Sequence, residues 1–301
     1  SNAYLNKEDL SKPEKYYPLK VYVCDKCWLV QTKDYIDAED LFTSEYAYVS
    51  STSSSWLKHA KDFCNKIIKV CDITSQSYVV EIASNDGYLL KNFVKKNIPC
   101  LGIEPTDGTA DKAQKIGVPV LRKFFGKKLA QILSKKKKKA DLIIGNNVYA
   151  HVPDINDFTI GLKLLLKPKG VITLEFPHLM QLIKHKQFDT IYHEHFSYLS
   201  LFTLKKIFER VGLKIFNVEE IDTHGGSLRI YGCHKNNKRQ ITSKVNLLLK
   251  KEKIHGMQKI QTYKNFQIQA DKIKNELLNF LITQKNKGKK VAAYGAAAKG
   301  N

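Results

Sequence analysis

Short runs of β-branched and other apolar residues alternate with segments of helical periodicity through the middle of the chain. The strand-like runs cover residues 78–83, 100–104, 118–121, 140–145 and 170–175. Segments such as 108–116 and 155–166 lie between them and carry apolar residues at helical spacing. Because strands that alternate with helices form parallel sheets with right-handed crossovers, this pattern predicts five parallel strands.

The pattern changes after the fifth predicted strand. An irregular stretch, 176–201, precedes a helix at 202–211, and two further strands follow at 213–219 and 227–234. A turn with Gly225 and Gly226 connects these two strands without a helix, so they form an antiparallel pair. The predicted α/β fold is therefore the Rossmann-like sheet of class I S-adenosylmethionine (SAM) dependent methyltransferases, since a dinucleotide-binding dehydrogenase half would continue parallel.

Two less regular pieces flank this sheet. Residues 1–60 carry a β-like segment around a C-x-x-C pair and a serine-rich run that leads into a helix at Trp56. Residues 239–301 are predicted to form long helices, followed by the start of another strand at 289–294. We therefore divide the chain into an N-terminal segment, a methyltransferase domain at 61–238 and a helical C-terminal extension.

The length and composition indicate a soluble protein of more than one domain. The chain has 301 residues, of which 43% are hydrophobic and 26% charged, enough for a sizeable core. No run approaches the ~20 apolar residues of a membrane helix, and the N-terminus lacks a secretory pattern. The sequence predicts a cytoplasmic protein without a membrane partner.

The net charge of +21 raises nucleic acid as a partner. Only four of the 50 basic residues, however, are arginines, and the lysines are spread along the whole chain. Arginine is the side chain suited to bidentate contacts with phosphate and guanine. No nucleic-acid partner is therefore expected, and the densest basic run, 135–139, is predicted to be a solvated loop.

A turn of acidic and small residues follows the first predicted strand, at the edge where open α/β sheets bind ligands. Its candidate cofactor-binding residues are Glu81, Ala83, Asn85 and Gly87. Glu104 ends the second strand and is placed to accept hydrogen bonds from both hydroxyls of a ribose. Together these residues favour an adenosine-containing cofactor; the alternative is an ordinary strand-to-helix turn with Asp86 as its N-cap.

Two further pairs of side chains follow the third and fourth predicted strands. Phe124 and Phe125 are candidates to flank the adenine, with plain core packing as the alternative. Asn146 and Asn147 end the fourth strand at the same rim. All four complete the predicted cofactor crevice.

Residues 176–202 concentrate histidine and aromatic side chains, with four of the nine histidines and the tetrad Tyr192-His193-Glu194-His195. A metal site is less favoured than acid–base chemistry, because adjacent residues of an extended segment point to opposite faces. Imidazole suits proton abstraction at neutral pH, with a carboxylate to orient it and a phenol to stabilise an oxyanion. For His185 and His193, a polar loop that seals the sheet edge is the alternative.

Several motifs taken in order resemble the sugar C-methyltransferase family. They are Glu81 to Gly87, Gly102-Ile103-Glu104-Pro105, Asn146 to His151, Tyr192 to His195, and His224-Gly225-Gly226-Ser227-Leu228-Arg229. The likeness runs from about Tyr4 to Asn301 and implies SAM as the cofactor and a deoxy-4-keto nucleotide sugar, methylated on carbon, as the substrate. It also implies a zinc domain before the sheet and a nucleotide-binding domain after it, whose opening residues 294–301 resemble.

The resemblance also implies roles for individual residues. It places Tyr192, Glu194 and His195 at the reacting carbon, with His195 as the base. Tyr192 or Tyr48 would hold the enolate oxygen, with Tyr46 as the alternative to Tyr48, and His151 is a second candidate acid or base.

A structural zinc needs four ligands, and only Cys24 and Cys27 form a thiolate pair here. Cys64 and Cys71 lie in a predicted helix with the wrong spacing. Only half of the zinc ligands of the family pattern are present here, so the sequence is compatible both with zinc binding and with its absence. Both ends of the family pattern are expected to be truncated.

Three other functions stay open at this stage. The charge motivates an RNA methyltransferase, the fold alone allows a small-molecule O- or N-methyltransferase, and the long C-terminal helices allow a non-catalytic assembly module. A monomer or weak dimer is expected, with a nucleotide sugar as partner.

Overall fold

The computed structural model of the chain describes residues 7–13, 16–33, 35 and 48–293. Tyr46 and the domain opening at 294–301 lie outside the described residues. In chain order the strands are β1 (Val21–Val23), β2 (Val30–Thr32), β3 (Val79–Ile82), β4 (Cys100–Ile103), β5 (Val120–Leu121), β6 (Ala140–Asn146), β7 (Leu166–Pro177), β8 (Ser197–Tyr198), β9 (Leu213–Ile221) and β10 (Ser227–His234). The α-helices are α1 (Ser54–Val70), α2 (Lys91–Val94), α3 (Asp107–Lys115), α4 (Lys127–Lys135), α5 (Ile155–Leu165), α6 (Leu179–Lys184), α7 (Leu201–Arg210), α8 (Ser243–Ile254) and α9 (Ile260–Asn286).

The central sheet has seven strands in the order β5-β4-β3-β6-β7-β10-β9. Strands β3 to β7 run parallel, and β10 is antiparallel to both β7 and β9. This topology confirms the predicted class I methyltransferase sheet. Strand β10 has the predicted bounds, whereas β7 begins at Leu166 and is longer than predicted because its first residue already pairs with Ala140.

Helices cover both faces of the sheet, and β6 shows why. Its residues 142–145 form a continuous apolar run, so Leu142 packs with α1 on one side while Ile143 packs with α5 and α7 on the other. A parallel strand buried on both faces has this continuous apolar sequence rather than an alternating one. Each fully buried Leu or Ile side chain contributes about 1.5–3 kcal/mol to stability. With both faces covered, the carboxyl edge of the parallel strands is left for ligands.

The stretch predicted to be irregular, 176–201, contains regular structure. It includes α6 and β8, and Val30 pairs with Tyr198 so that β1, β2 and β8 form a small second sheet. A strand of two residues carries no periodicity, which is why the sequence pattern did not reveal it. The N-terminal hairpin is thereby attached to this insertion beside the carboxyl edge.

The predicted long C-terminal helices are α8 and α9, and no residue of the 27-residue α9 is fully buried. The strand predicted from residue 289 is not found in residues 289–293, because no described strand lies beside them to share hydrogen bonds. Within the described part of the chain, no helix has the length and apolar character needed to cross a membrane.

Candidate active site

The turn after β3 has an unusual backbone. Ala83, Asn85 and Gly87 have φ values of 55°, 49° and 76°, in the left-handed region that L residues rarely adopt. A Cβ on Gly87 would lie 3.0 Å from Val118 Cγ2, so the turn approaches the segment before β5 too closely for a side chain. Strain of this kind is concentrated at ligand sites.

Three carboxylates converge at this turn. Burial raises the pKa of Glu81 well above its usual value, and the carboxylates of Glu104 and Asp86 raise it further. Glu104 Oε2 accepts a hydrogen bond from the Asn85 N–H at 2.8 Å, which fixes the carboxylate against the turn. Among the described residues, Glu81 Oε2, Asp86 Oδ1 and Ser84 Oγ are buried without a hydrogen-bond partner. These oxygens are available to a ligand.

The segment before α1 is bonded to the same turn. The Ser50 N–H donates to Asn85 Oδ1 at 2.9 Å, the Ser51 N–H donates to Asp86 Oδ2 at 3.1 Å, and Asn85 Nδ2 donates to the Tyr48 carbonyl at 3.2 Å. The Tyr48 side chain is 50% exposed. The Tyr48 segment therefore lies over the cofactor turn.

Asn146 and Asn147 lie at the end of β6, as predicted. Asn146 is buried, and neither polar atom of its side chain has a partner among the described residues. Asn147 has a φ of 53° and donates its N–H to the Glu175 carbonyl at 2.7 Å. Both are positioned at the rim of the crevice.

The two phenylalanines predicted to flank adenine differ. Phe124 is 40% exposed after β5, whereas the ring of Phe125 packs edge-on against Phe158 at 5.1 Å and contacts Gly161. For Phe125 the structure shows the alternative of core packing, because its half-buried ring packs against the core near α5.

The insertion holds His195 in one orientation. His195 Nδ1 lies 2.9 Å from the Thr190 carbonyl, which only accepts, so Nδ1 carries the proton and donates. In the neutral ring Nε2 then accepts, and Tyr192 Oη lies 3.0 Å away as its donor. The sequence predicts a carboxylate as the group that orients the imidazole, whereas in the structure the Thr190 backbone carbonyl accepts the hydrogen bond from Nδ1.

His151 lies beside this pair, with its ring 4.7 Å from that of His195. Burial lowers the pKa of His151, while the charge of Glu194 and a hydrogen bond with its backbone act in the opposite direction. Glu194 itself is only 3% exposed. The structure thus brings together Tyr192, His195, His151 and Glu194.

The backbone around the tetrad is fixed from two sides. Thr32 Oγ1 donates to the His195 carbonyl at 3.0 Å, and the Phe196 N–H donates to the Ala150 carbonyl at 2.8 Å. His193 points the other way and donates from Nε2 to the Pro18 carbonyl at 3.4 Å. Among the described residues, no group of three or more His, Cys, Asp and Glu side chains could hold a metal ion.

A second polar cluster escaped the sequence analysis. Glu175 on β7 is fully buried and accepts hydrogen bonds from Arg229 Nη2 at 2.5 Å and His59 Nε2 at 3.0 Å. Burial alone would raise the pKa of Glu175, but the hydrogen bond from His59 and the charge of Arg229 lower it below its usual value. Of its members, only Arg229 lies in a motif that the sequence singles out, and that motif did not indicate Glu175 or His59 as its partners.

The amino-acid sequence is similar to known protein families. Sequence models described as "Putative zinc binding domain", "Methyltransferase domain" and "C-methyltransferase C-terminal domain" match residues 1–42, 56–218 and 222–301. The C-methyltransferase NovU from Streptomyces niveus is 32% identical over 297 residues, which cover 99% of this chain and 70% of NovU. The chain belongs to this C-methyltransferase family. It is a SAM-dependent enzyme.

A solved structure shares the fold of this C-methyltransferase. The PH0226 protein from Pyrococcus horikoshii superposes with a TM-score of 0.51 at 14% identity, over 62% of this chain and 95% of that protein. Magnesium protoporphyrin IX methyltransferase from Synechocystis, solved with bound SAM, has a TM-score of 0.45 at 12% identity, over 59% of this chain and 79% of that one.

The crevice of the C-methyltransferase fits SAM. SAM carries two cationic groups, a sulfonium and an ammonium, and its ribose supplies hydroxyl donors. The buried oxygens of Glu81, Asp86 and Ser84 provide acceptors and negative charge for them. The same carboxylates would repel the pyrophosphate of a dinucleotide, which agrees with the absence of a G-x-G-x-x-G sequence in this turn.

Cys24 and Cys27 lie in the turn between β1 and β2. Hydrogen bonds from the backbone at Cys27 and Lys26 lower the pKa of the Cys24 thiol, which favours the thiolate that binds zinc, whereas burial raises the pKa of the Cys27 thiol. Thr203 Oγ1 donates to the carbonyls of Cys27 and Trp28 and fastens the turn to α7. The pair fits one half of a tetrahedral zinc site, and the other half is not formed by described residues.

Proposed function

We propose that this C-methyltransferase methylates a carbon next to the ketone of a nucleotide-linked 4-keto deoxysugar, with His195 as the base. The observation that carries the proposal is the fixed tautomer of His195, with Nδ1 donating to Thr190 and Nε2 facing Tyr192. The substrate class follows from the family resemblance of the motifs. The relative NovU is named as a C-methyltransferase, without a substrate, and this supports transfer of the methyl group to carbon.

The base function follows from the protonation of the ring. Because Nδ1–H is committed to a carbonyl, Nε2 is the nitrogen that can accept a proton. A carbon next to a ketone is acidic enough for imidazole, whose pKa is near ~6.5, to remove its proton at neutral pH. His195 would take that proton at Nε2.

Tyr192 changes its hydrogen bond during this step. In the structure its hydroxyl group donates to Nε2, so it must release that nitrogen before Nε2 can reach the substrate. The freed hydroxyl then donates to the ketone oxygen, where negative charge develops. Burial raises the pKa of Tyr192, so the phenol stays protonated and remains a donor.

The remaining residues hold the reactants. When bound, SAM supplies the electrophilic methyl group. The carboxylates at the β3 turn would bind its cationic half, and Tyr48 extends from the segment above. The Asn146 side chain, which has no hydrogen-bond partner among the described residues, would provide a donor and an acceptor at the rim. His151, whose pKa is lowered by burial, stays neutral and offers a second proton acceptor beside His195.

The experiment measures two reactions with a panel of nucleotide-linked 4-keto sugars. Methyl transfer is followed by mass spectrometry, and exchange of the α-proton in D₂O is followed by NMR with S-adenosylhomocysteine (SAH) bound. We expect His195→Asn to lose both, because Asn keeps a donor for the Thr190 carbonyl but lacks the base. SAH binding should be unchanged.

The matched control is His193→Asn, which removes the neighbouring imidazole that points to Pro18. It should retain both reactions. Full activity of His195→Asn would overturn the role of the base, and transfer by the parent to RNA or to an oxygen or nitrogen nucleophile, with no transfer to keto sugars, would overturn the substrate class.

A further inference from the structure

The motif at 224–229 has no role in the mechanism described above, yet it contributes to the second polar cluster. Arg229 on β10 lies directly opposite Glu175 on β7, and its guanidinium is 5% exposed and packs over the Phe63 ring at 4.3 Å. Thr223, just before the turn, donates to Glu175 Oε1 at 3.3 Å. Glu175 is therefore held by donors from both sides.

His59 is oriented by this carboxylate. Its Nε2 lies 3.0 Å from each oxygen of Glu175 and also 3.0 Å from Arg229 Nη2. Because the two carboxylate oxygens can only accept and Arg229 donates to Glu175 at the shorter distance of 2.5 Å, we assign the proton to Nε2, which donates to Glu175. Within the described residues, the hydrogen bonds of His59 all run through Nε2, and its side chain is 19% exposed. Nδ1 of the neutral ring is thus the nitrogen left to accept a hydrogen bond from a ligand.

Aromatic rings surround the exposed side of His59. Trp56 stacks on the imidazole at 4.8 Å, and His224 meets the Trp56 ring edge-on at 5.4 Å. Trp56 is half-buried and also packs on Tyr88, the residue after Gly87 in the cofactor turn. These three residues, Trp56, His59 and His224, form what we call the aromatic wall.

Hydrogen bonds connect the surroundings of the aromatic wall to two parts of the active site. Gln187 of the insertion donates to the Gly225 carbonyl at 2.9 Å, and a Cβ at Gly225 would lie 2.1 Å from the same Gln187 side chain. On the other side, the backbone carbonyl of Glu175 accepts a hydrogen bond from the Asn147 N–H. The wall therefore adjoins the insertion that carries His195 and the strand ends that line the crevice.

We propose that the aromatic wall binds the acceptor, with His59 Nδ1 accepting a hydrogen bond from a sugar hydroxyl group and Trp56 packing against the C–H face of the ring. An aromatic face beside an oriented acceptor suits a ligand that carries both apolar C–H groups and hydroxyl donors. This inference rests on the proposed function, because it assumes a sugar acceptor. It makes His59 a residue of acceptor binding, separate from the proton transfer at His195.

The test compares His59→Gln with the parent on the keto sugar that the parent methylates. Gln keeps an N–H close to the position of Nε2, so the bond to Glu175 is retained, while the acceptor at Nδ1 is lost. We expect the acceptor KM to rise about tenfold, as for the loss of one hydrogen bond, with kcat and SAH affinity within about twofold of the parent. His255→Gln is the matched control, because His255 is exposed at the end of α8 and, among the described residues, its ring bonds only its own helix through Nδ1.

Each outcome separates this inference from the proposed function. An unchanged acceptor KM in His59→Gln, or a fall in kcat at unchanged KM, overturns acceptor binding by the wall while leaving the function in place. Trp56→Phe gives a second reading: it should raise the acceptor KM several-fold and leave SAH affinity unchanged. A parent that binds SAH but methylates no keto sugar overturns the proposed function, and this inference falls with it.

Discussion

His178 and Glu252 form a fully buried hydrogen-bonded pair, with His178 Nε2 2.8 Å from Glu252 Oε1. Glu252, on α8, also accepts hydrogen bonds from the Leu201 and Phe202 N–H groups at the start of α7. One side chain of the C-terminal helices therefore caps a helix of the methyltransferase domain and holds the residue that precedes α6.

Replacing this carboxylate should be costly. We expect Glu252→Ala to lower the free energy of unfolding by about 3–5 kcal/mol, because it leaves buried donors without an acceptor. Urea denaturation measures the change. Glu220→Ala is the control, since it breaks an exposed ion pair with Lys251 and should cost no more than about 1 kcal/mol. Equal losses in the two variants would contradict the capping role.

Glu81→Gln should separate stability from cofactor binding. The folded pKa of Glu81 is raised, so its contribution to stability is present below pH ~4.5 and is lost as the pH rises towards the folded pKa. At neutral pH the neutral amide should therefore raise the melting temperature of the protein without cofactor. The same change should weaken SAM binding about tenfold or more, because a charged acceptor is lost. Calorimetry measures both, and a lower melting temperature would show that the buried charge is not unfavourable.

Gly87→Ala tests the close approach of the cofactor turn. The added Cβ meets Val118 at 3.0 Å in a backbone conformation with φ +76°, so we expect a loss of about 1–3 kcal/mol of stability and loss of SAH binding. Gly117→Ala is matched to it, because Gly117 has φ +81° but no atom within 4 Å of its Cβ position. Gly117→Ala should lose only the stability that corresponds to backbone strain, and it should bind SAH as tightly as the parent.

The lowered pKa of His151 predicts a loss of stability in acid. The folded state binds fewer protons at this ring than the unfolded state, so the free energy of unfolding should fall as the pH drops below ~6.5 towards the folded pKa. We expect His151→Asn to make the free energy of unfolding depend less steeply on pH between the unfolded and folded pKa values of this ring. Urea denaturation at a series of pH values measures this slope. A slope equal to that of the parent would show that His151 titrates normally.

The sequence revealed those parts of the site that are local. The bounds of β10 followed from its mostly apolar run directly after the Gly225-Gly226 turn, and the residues from Glu81 to Gly87 could be placed because a turn between a strand and a helix is a continuous motif. The cluster of His59, Glu175 and Arg229 could not, since only the register of β7 and β10 and the packing of α1 bring it together across 116 and 54 residues of chain. Periodicity places each of these residues in an element but does not show which elements are neighbours.

The two β8 residues and the orientation of His195 were unpredictable for the same reason. Strand β8 exists because β2 lies beside it, and Nδ1 of His195 is held by a backbone carbonyl that no residue type indicates. The net charge did not help to locate the site, because the lysines are spread along the chain and do not indicate the edge of the sheet where the ligands bind.

The hydrogen bonds between the Tyr48 segment and the β3 turn predict that cofactor and acceptor bind cooperatively. Asn85 and Asp86 belong to the cofactor turn, yet their side chains fix the backbone of the segment that carries Tyr48, the residue we propose to contact the acceptor. A ligand that orders this turn thereby also orders the residue above it, and the coupling free energy is the same in either direction. We expect SAH to bind more tightly in the presence of acceptor, by the same factor by which SAH tightens acceptor binding. Titrations of each ligand with and without the other measure that factor, and a factor of one would show that the shared hydrogen bonds transmit nothing.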